Sequence, residues 1–328
     1  MKLVRNYVLP ALAAIGLSFA SAATPALAQD VTYLLPAPGS LPAFAPWMVA
    51  QQRGYFKSEG LNVTFQVARG GVDVAKQVGA GNAVIGGAIG DTPILVRANG
   101  VPVKSVAVLG GRSLTQLVLN KDKGVNTVKD LKGKVVTTMA FQDTTFFALL
   151  GMLATQGMTK DDINAQAVGP VNIWKLFAAG EAAAMAAVPE WTYYAKTQAP
   201  NIKMEVIPSD TMFKSMAQAI VVSDETIQKN PELVKKLVRA TLKGMKAVMD
   251  DPAAAAADYV KAVPEHAGKE AEMTAILKGY AELVYPGQTV LGEMDEARLS
   301  SLQDFYQAQG IIQQKSNVKD LYTNQFIQ

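Results

Sequence analysis

Two acidic residues, Asp91 and Glu190, each follow a short run of small apolar residues. The runs read GAGNAVIGGAIGDTP, residues 79–93, and AAGEAAAMAAVPEW, residues 178–191. When the small residues of the two runs are aligned, Asp91 and Glu190 fall at the same position. A carboxylate at a strand end can bind an amine or an N–H-rich heterocycle, or it can cap the helix that follows.

A second set of polar residues, Asp143, Thr144 and Thr145, precedes the apolar run FFALLGMLATQG. That run predicts a helix, and Asp and Thr are common caps at helix starts. Threonine hydroxyls and free backbone N–H groups also suit a sulfonate or a carboxylate, which an inward-pointing Asp143 would oppose. Gln142 belongs to the same candidate contact turn.

Two arginines and a tryptophan are further candidate ligand contacts, chosen by their residue type. Arg69 and Gly70 lie in ARGGVD, and Arg112 lies in GGRSLT, both next to glycine turns. Either arginine could clamp a carboxylate or sulfonate with two hydrogen bonds, or lie solvated on the surface. Trp191 could stack on a ligand or belong to the core of a lobe.

Composition limits the classes of function. The chain has 328 residues, a net charge of +3, no cysteine and one histidine. Its length predicts about two domains, and its charge and motifs give no indication of nucleic-acid binding. No catalytic His/Ser/Asp set, phosphate loop or metal-ligand cluster is recognisable, so we expect no enzyme activity, cofactor or metal. His266 stands in a polar turn and predicts a surface residue.

The N-terminus predicts export. Lys2 and Arg5 precede an apolar run, and Ala-Leu-Ala ends at Ala28. This is the pattern of a secretory signal peptide, residues 1–28, with cleavage after Ala28. The apolar run is shorter than the roughly 20 residues that a spanning helix needs. The sequence therefore predicts a soluble, exported protein.

Along the chain, the pattern predicts strands that alternate with helices, and the candidate residues lie at the ends of these elements. Short apolar strands separated by helices predict parallel βαβ units and an α/β fold. We predict one helix over residues 45–60, helical structure over residues 224–263, and a third helical run over residues 293–310, with these C-terminal helices packing on the first lobe. The aligned runs predict two α/β lobes of one plan. Because ligands bind beyond the carboxyl ends of parallel strands, Asp91 and Glu190 are expected at the rim of a cleft between the lobes.

Several longer stretches resemble a known family. They are WMVAQQRGYFKSEGLNV, QVGAGNAVIGGA, NTVKDLKGKVV, LFAAGEAAA with VPEW, and IQKNPELVKKLVRA. From about Val31 to about Asp258 the chain resembles periplasmic solute-binding proteins of ABC importers. The most similar group is the one for nitrate, taurine, aliphatic sulfonates and thiamine-pyrimidine precursors.

The resemblance implies a type II periplasmic-binding-protein fold that closes around a ligand and docks on a membrane permease. Lobe 1 would contain residues 29–115 and 220–328, and lobe 2 residues 116–219. The two hinge strands would lie near Gly111–Leu119 and Met216–Ser223. In this family the turn at Asp143–Thr145 holds the polar head of the ligand, and the loop with Ser40 and Phe44 is the first contact loop.

The ligand class stays open at this point. The candidate Thr and Arg residues could bind an anionic group, and the candidate Asp and Glu residues could bind a cationic group. Together they fit a small zwitterion such as an aminosulfonate. A nitrogen heterocycle stacked on Trp191 and an aromatic carboxylate are the alternatives. A periplasmic ligand sensor would have the same cleft, and permease and ATPase genes beside this one would favour the importer. A monomer is expected.

Overall fold

The computed structural model describes residues 28–328, so residues 1–27 of the predicted signal peptide lie outside the described residues. The described chain forms two lobes, each built on a five-stranded sheet. The strands are β1 (Gln29–Leu35), β2 (Leu61–Val67), β3 (Ile85–Ile89), β4 (Val103–Val108), β5 (Gln116–Asn120), β6 (Val135–Thr138), β7 (Asn164–Ala167), β8 (Ala184–Ala187), β9 (Met204–Pro208) and β10 (Gln218–Ser223).

The two sheets have the same strand order. The first runs β2-β1-β3-β10-β4 and the second runs β7-β6-β8-β5-β9. Each strand of the first sheet therefore has a counterpart at the same place in the second, and β3 corresponds to β8. These are the strands that precede Asp91 and Glu190, which is the arrangement that two lobes of one plan require.

The prediction of parallel strands is correct for part of each sheet. β1 pairs in parallel with β2 and β3, and β6 pairs in parallel with β7 and β8. β10 runs antiparallel to β3 and β4, and β5 runs antiparallel to β8 and β9. The reason is that β5 and β10 each follow a crossing between the lobes, residues 109–115 and 209–217. A strand that begins at the cleft points away from it, so it runs antiparallel to neighbouring strands that end at the cleft.

The helices of the described chain differ from the sequence analysis in several places, including the break after α1 and the presence of α11. They are α1 (Ala45–Gln52), α2 (Tyr55–Ser58), α3 (Gly71–Gly79), α4 (Thr92–Arg97), α5 (Thr144–Ala154), α6 (Gly169–Ala178), α7 (Pro189–Gln198), α8 (Asp224–Lys229), α9 (Pro231–Asp250), α10 (Pro252–Ala262), α11 (Glu270–Leu283), α12 (Glu296–Ala308) and α13 (Val318–Leu321). The helix predicted over residues 45–60 is interrupted at Gly54, whose φ of 70° is left-handed and ends α1. Only glycine adopts this conformation without a steric cost.

The C-terminal helices pack on the first lobe, as expected, and also contact the second lobe. α9 and α10 pack on α1 of the first lobe, and Gly244 allows α9 to approach closely, since a Cβ there would lie 1.9 Å from the Pro46 carbonyl oxygen. α11 packs on α10 and also on α7 of the second lobe. The Phe305 ring on α12 lies 4.6 Å from the Phe213 ring in the second crossing. The C-terminal segment therefore contacts both lobes and a crossing between them.

Candidate functional site

A small cavity of about 50 Å³ lies between the two lobes. The first lobe contributes Leu41, Phe44, Ala88 and Gln218 at the start of β10, the second contributes Met139, Asp143, Thr145, Glu190 and Trp191, and the first crossing contributes Leu114. This volume has room for a few water molecules. Of the described residues, those that line the cavity include no Lys, Arg or His. The cleft is therefore narrow, largely apolar and equipped with two carboxyl groups.

The turn before α5 places Asp143 in the cavity wall. Asp143 caps the helix, because its Oδ1 accepts the Thr145 N–H at 2.9 Å and the Thr145 hydroxyl at 2.5 Å. Both side chains are buried, and burial raises the pKa of Asp143. Thr144 is the first residue of α5. Gly70 faces this turn from the first lobe, since a Cβ on it would lie 3.7 Å from Asp143 Oδ2.

Glu190 is the second carboxyl group of the cavity. It lies in the first turn of α7 with 0% of its surface exposed. Its Oε2 accepts a hydrogen bond from the Tyr280 hydroxyl on α11, whereas Oε1 has no hydrogen-bond partner among the described residues. Burial raises the pKa of Glu190 to about 7, against the opposing effects of the Tyr280 hydroxyl and of the nearby backbone N–H groups of Glu190 and Ala43. Glu190 can therefore change its charge near neutral pH.

Aromatic side chains form opposite walls of the cavity. Trp191 on α7 is 3% exposed, and Phe44, just before α1, is also 3% exposed. The Trp191 indole Nε1 has no partner within the described chain. A buried indole N–H without a partner costs free energy unless a ligand or water accepts its hydrogen. The residue that carries this unpartnered donor lines the cavity.

Asp91 lies apart from this cavity, although the sequence aligns it with Glu190. It is 1% exposed, and its Oδ2 accepts the Tyr306 hydroxyl at 2.5 Å. Burial raises the pKa of Asp91 to about 6, against the opposing effect of the Tyr306 hydrogen bond. Oδ1 has no partner in the described chain. Asp91 is therefore tied to α12, and it is not among the residues that line the cavity.

The two candidate arginines are exposed and do not line the cavity. The backbone N–H of Arg69 donates to Asp73 at 2.9 Å. The Arg112 guanidinium donates to the Glu282 carbonyl oxygen at 3.1 Å. Gln142 is also exposed, on the outer side of the α5 turn. A bidentate clamp on an anion is thus not assembled at the cavity in this conformation.

The Ser40 loop is held by the chain's single histidine. Ser40 is half-buried, and its carbonyl oxygen lies 2.6 Å from His266 Nε2. The His266 ring stacks on Tyr259 with ring centres 5.5 Å apart. The expectation of a plain surface histidine is therefore wrong. His266 braces the loop that continues to Phe44.

Tyr280 is the functional neighbour that sequence reasoning missed. It belongs to α11, a helix that the sequence analysis did not predict. The signal was present, because Met273, Ile276, Leu277 and Tyr280 have the spacing of one apolar helix face and all are buried. Leu41, Leu114, Met139 and Gln218 were missed as well. Their apolar or amide side chains give no chemical signal in a sequence.

A family model described as NMT1/THI5 like matches residues 41–255. The chain belongs to this family. It is 26% identical over 296 residues to the riboflavin-binding protein RibY of Chloroflexus aurantiacus, an alignment that covers 87% of this chain and 82% of that protein. It is 27% identical over 237 residues to 4-amino-5-hydroxymethyl-2-methylpyrimidine phosphate synthase of Aspergillus parasiticus, with 68% of each chain covered.

Solved structures confirm the two-lobed fold. The alkanesulfonate-binding protein SsuA from Xanthomonas axonopodis pv. citri, bound to MOPS, superposes with a TM-score of 0.69 over 90% of this chain and 98% of that chain, at 18% identity. The periplasmic aliphatic sulphonate binding protein SsuA from Escherichia coli gives a TM-score of 0.69 over 92% of this chain and 94% of that chain, at 14% identity. At these identities the similarity establishes the periplasmic-binding-protein fold and not the ligand.

Within residues 28–328, no three His, Cys, Asp or Glu side chains are grouped so that they could hold a metal ion. None of the described helices is long and apolar enough to cross a membrane.

Proposed function

We propose that this protein is an exported solute receptor that binds a small, flat, N–H-bearing heterocycle between its lobes and delivers it to an ABC import permease. The observation that supports this ligand class is the composition of the cavity wall. Two buried carboxyl groups and an aromatic face line it, and no described cationic side chain does. A sulfonate in this cavity would have no positive partner, and burying an unpaired charge is costly.

Glu190 and Trp191 define what a ligand must offer. Oε1 of Glu190 needs a hydrogen-bond donor, and Nε1 of Trp191 needs an acceptor. A heterocycle with ring or amine N–H groups and ring acceptors meets both needs, and its flat face can lie on an aromatic side chain. Each hydrogen bond to the carboxylate is worth about 1.5–3 kcal/mol when both groups are buried.

Binding requires the lobes to move. The present cavity of about 50 Å³ is far below the roughly 300–1,000 Å³ of typical ligand pockets. The lobes must therefore separate about the two crossings to admit a heterocycle and close again around it. A ligand drives closure to the extent that it binds the closed form more tightly.

The sequence and the fold support the proposal of export and docking. The predicted signal peptide, residues 1–28, would place the mature chain outside the cytoplasmic membrane. Periplasmic proteins with this fold include the SsuA protein described above. We propose transient docking on a permease, a monomeric receptor and no enzyme activity. The importer remains the first choice over a ligand sensor.

A ligand screen by thermal shift tests the proposal. Residues 29–328 would be unfolded, refolded to remove carried-over ligand, and heated with riboflavin, 4-amino-5-hydroxymethyl-2-methylpyrimidine, taurine, MOPS or nitrate. A ligand at one hundred times its Kd adds about 2.7 kcal/mol, which raises Tm by several degrees. We expect a shift from a heterocycle and none from the anions.

The exposed arginines provide the matched control. Arg69→Ala and Arg112→Ala should leave the affinity for the heterocycle unchanged, because neither side chain lines the cavity. A shift with taurine or MOPS that disappears in either variant would refute the proposed ligand class and restore the aminosulfonate alternative.

A further inference from the structure

Tyr280 contacts Glu190 from outside the two repeated lobes. It lies on α11, which packs on both α7 and α10, and 0% of its surface is exposed. Its ring lies 5.8 Å from that of Tyr285, and its hydroxyl donates to Glu190 Oε2. Because the ring is fixed by packing, the hydroxyl holds one carboxylate oxygen in place.

The other carboxylate oxygen of Glu190, Oε1, is left without a hydrogen-bond partner in the described chain. Oε1 is buried and belongs to a residue that lines the cavity. A carboxylate free to rotate about its bond to Cγ could present either oxygen. One that is held by Tyr280 presents Oε1 alone.

We propose that Tyr280 is a positioning residue for the binding site, which orients Glu190 so that Oε1 accepts a hydrogen bond from an N–H group of the ligand. This inference rests on the proposed function. It adds a residue on α11 that determines both the geometry and the charge state of the acceptor.

Several titratable groups surround Glu190, and only some of them can change charge near pH 7. The titratable groups around it are Tyr194 on α7, Tyr259 on α10, Tyr280 on α11, Tyr285 after α11, and Asp143 across the cavity, with His266 stacked behind Tyr259. Burial raises the pKa of each of these tyrosines, so they stay neutral near pH 7. The carboxyl groups of Glu190 and Asp143 are the cavity groups whose pKa burial brings toward neutral pH.

The substitution Tyr280→Phe removes only the hydroxyl and keeps the ring. Without this donor the charged form of Glu190 loses a hydrogen bond, so the pKa of Glu190 should rise further above about 7. Since the carboxylate is the better acceptor, affinity for a ligand N–H should increase with pH, and in the variant that increase should move to higher pH.

Tyr306→Phe is the matched control. Tyr306 is also fully buried and donates to a buried carboxylate, that of Asp91, which does not line the cavity. The same atom is removed from the same kind of pair in the other lobe. A general loss of stability would affect both variants, whereas a positioning effect would affect only Tyr280→Phe.

The test is the pH profile of riboflavin and 4-amino-5-hydroxymethyl-2-methylpyrimidine binding, measured by calorimetry between about pH 5 and pH 9 for the three proteins, a range that brackets the titration of a group with a pKa near 7. We expect Tyr280→Phe to bind about tenfold more weakly at pH 7, with its profile displaced to higher pH, and Tyr306→Phe to match the parent protein. Equal affinities and equal profiles in all three proteins would overturn the inference.

A ligand-free measurement keeps the inference testable if neither compound binds. ¹³C NMR of glutamate carboxyl groups, with Glu190 assigned through Glu190→Gln, gives its titration midpoint directly. An upward displacement in Tyr280→Phe and none in Tyr306→Phe supports the positioning role. An unchanged midpoint in Tyr280→Phe contradicts it. Absence of binding by the parent protein would count against the proposed function and not against the Tyr280–Glu190 pair.

Discussion

Asp91 and Glu190 occupy corresponding places in the two lobes and have different surroundings. Each follows a central strand, β3 or β8, and each is fully buried and accepts a hydrogen bond from a tyrosine of the C-terminal segment. Glu190 lines the cavity, whereas Asp91 does not. The repeated pattern therefore places a buried acid after each central strand, but only the acid of the second lobe lines the cavity.

The strands beneath the two acids also differ. Gly86 on β3 aligns with Met185 on β8, and both positions are buried. A Cβ at Gly86 would lie 2.2 Å from Val74 Cγ1, because α3 packs directly on β3. In the second lobe the aligned position carries the fully buried side chain of Met185. The first lobe therefore requires a residue without a side chain at this position, whereas the second lobe accommodates a methionine.

The largest expected effect is on stability, from substitutions that alter the packing at these two aligned positions. Met185→Ala should leave a cavity and lower the free energy of unfolding by about 2–5 kcal/mol. Gly86→Ala should overpack the first lobe and cost about 1–3 kcal/mol. Urea unfolding of both variants measures the two losses.

Gly87→Ala is the control for this pair, since a Cβ there meets its nearest neighbour at an ordinary 3.5 Å. It should stay within about 1 kcal/mol of the parent protein. A Gly86→Ala protein as stable as Gly87→Ala would show that α3 does not pack against β3 as described.

A smaller effect should appear in the pH dependence of stability. Burial raises the pKa of Glu190 from 4.5 to about 7 and that of Asp91 from 3.8 to about 6. The folded state therefore holds each proton more tightly than the unfolded state. The stability contribution of each acid is fully present below its unfolded pKa and is lost as pH rises through its folded pKa, by up to about 3 kcal/mol for Glu190.

The two windows distinguish the two acids. Glu190→Gln should flatten the fall in stability between about pH 4.5 and 7, and Asp91→Asn should flatten it between about pH 4 and 6. Asp143→Asn controls for the third buried carboxyl group. Urea midpoints at one-unit steps across both windows measure these differences. A fall between about pH 6 and 7 that persists in Glu190→Gln would be inconsistent with this assignment.

The smallest expected effect concerns the residues that follow the two acids. Trp191→Leu keeps apolar bulk but removes the ring, and heterocycle affinity should fall about tenfold because a flat stacking surface is lost. Thr92 takes the corresponding place in the first lobe and is not part of the cavity wall. Thr92→Val should leave the affinity unchanged. Calorimetry measures both affinities. An equal loss of heterocycle affinity in Trp191→Leu and Thr92→Val would show that Trp191 contributes no more to binding than the corresponding residue of the first lobe.

Most of the order of strands and helices along the chain, though not β9 or α11, and the position of the two acids at strand ends could be predicted from the sequence. Both depend on local patterns, namely short apolar strands, glycine helix ends and the aligned runs. The break at Gly54 could not, because a glycine inside an apolar helical pattern does not by itself show that a second short helix follows. The antiparallel direction of β5 and β10 depends on chain crossings, which local patterns do not encode.

The direction of each candidate side chain depends on tertiary packing. Asp91 and Glu190 look equivalent in sequence, and only the folded structure shows that Glu190 lines the cavity and Asp91 does not. Arg69 and Arg112 have the residue type and the glycine turns of an anion clamp, yet both are exposed. Helix α11 has a clear apolar face, so its residues could have been predicted as a helix. Its contact with Glu190 would still have required the fold.

The most direct test of the account is calorimetric titration of riboflavin and 4-amino-5-hydroxymethyl-2-methylpyrimidine into the parent protein, Glu190→Gln and Asp91→Asn at a pH just above the pKa of Glu190. The amide introduced by Glu190→Gln has one acceptor oxygen, which the Tyr280 hydroxyl would occupy, so the amide NH₂ group would face the ligand N–H. The account predicts that Glu190→Gln binds at least about tenfold more weakly and that Asp91→Asn binds as the parent protein does. Unchanged binding by Glu190→Gln, or an equal loss in Asp91→Asn, would contradict it.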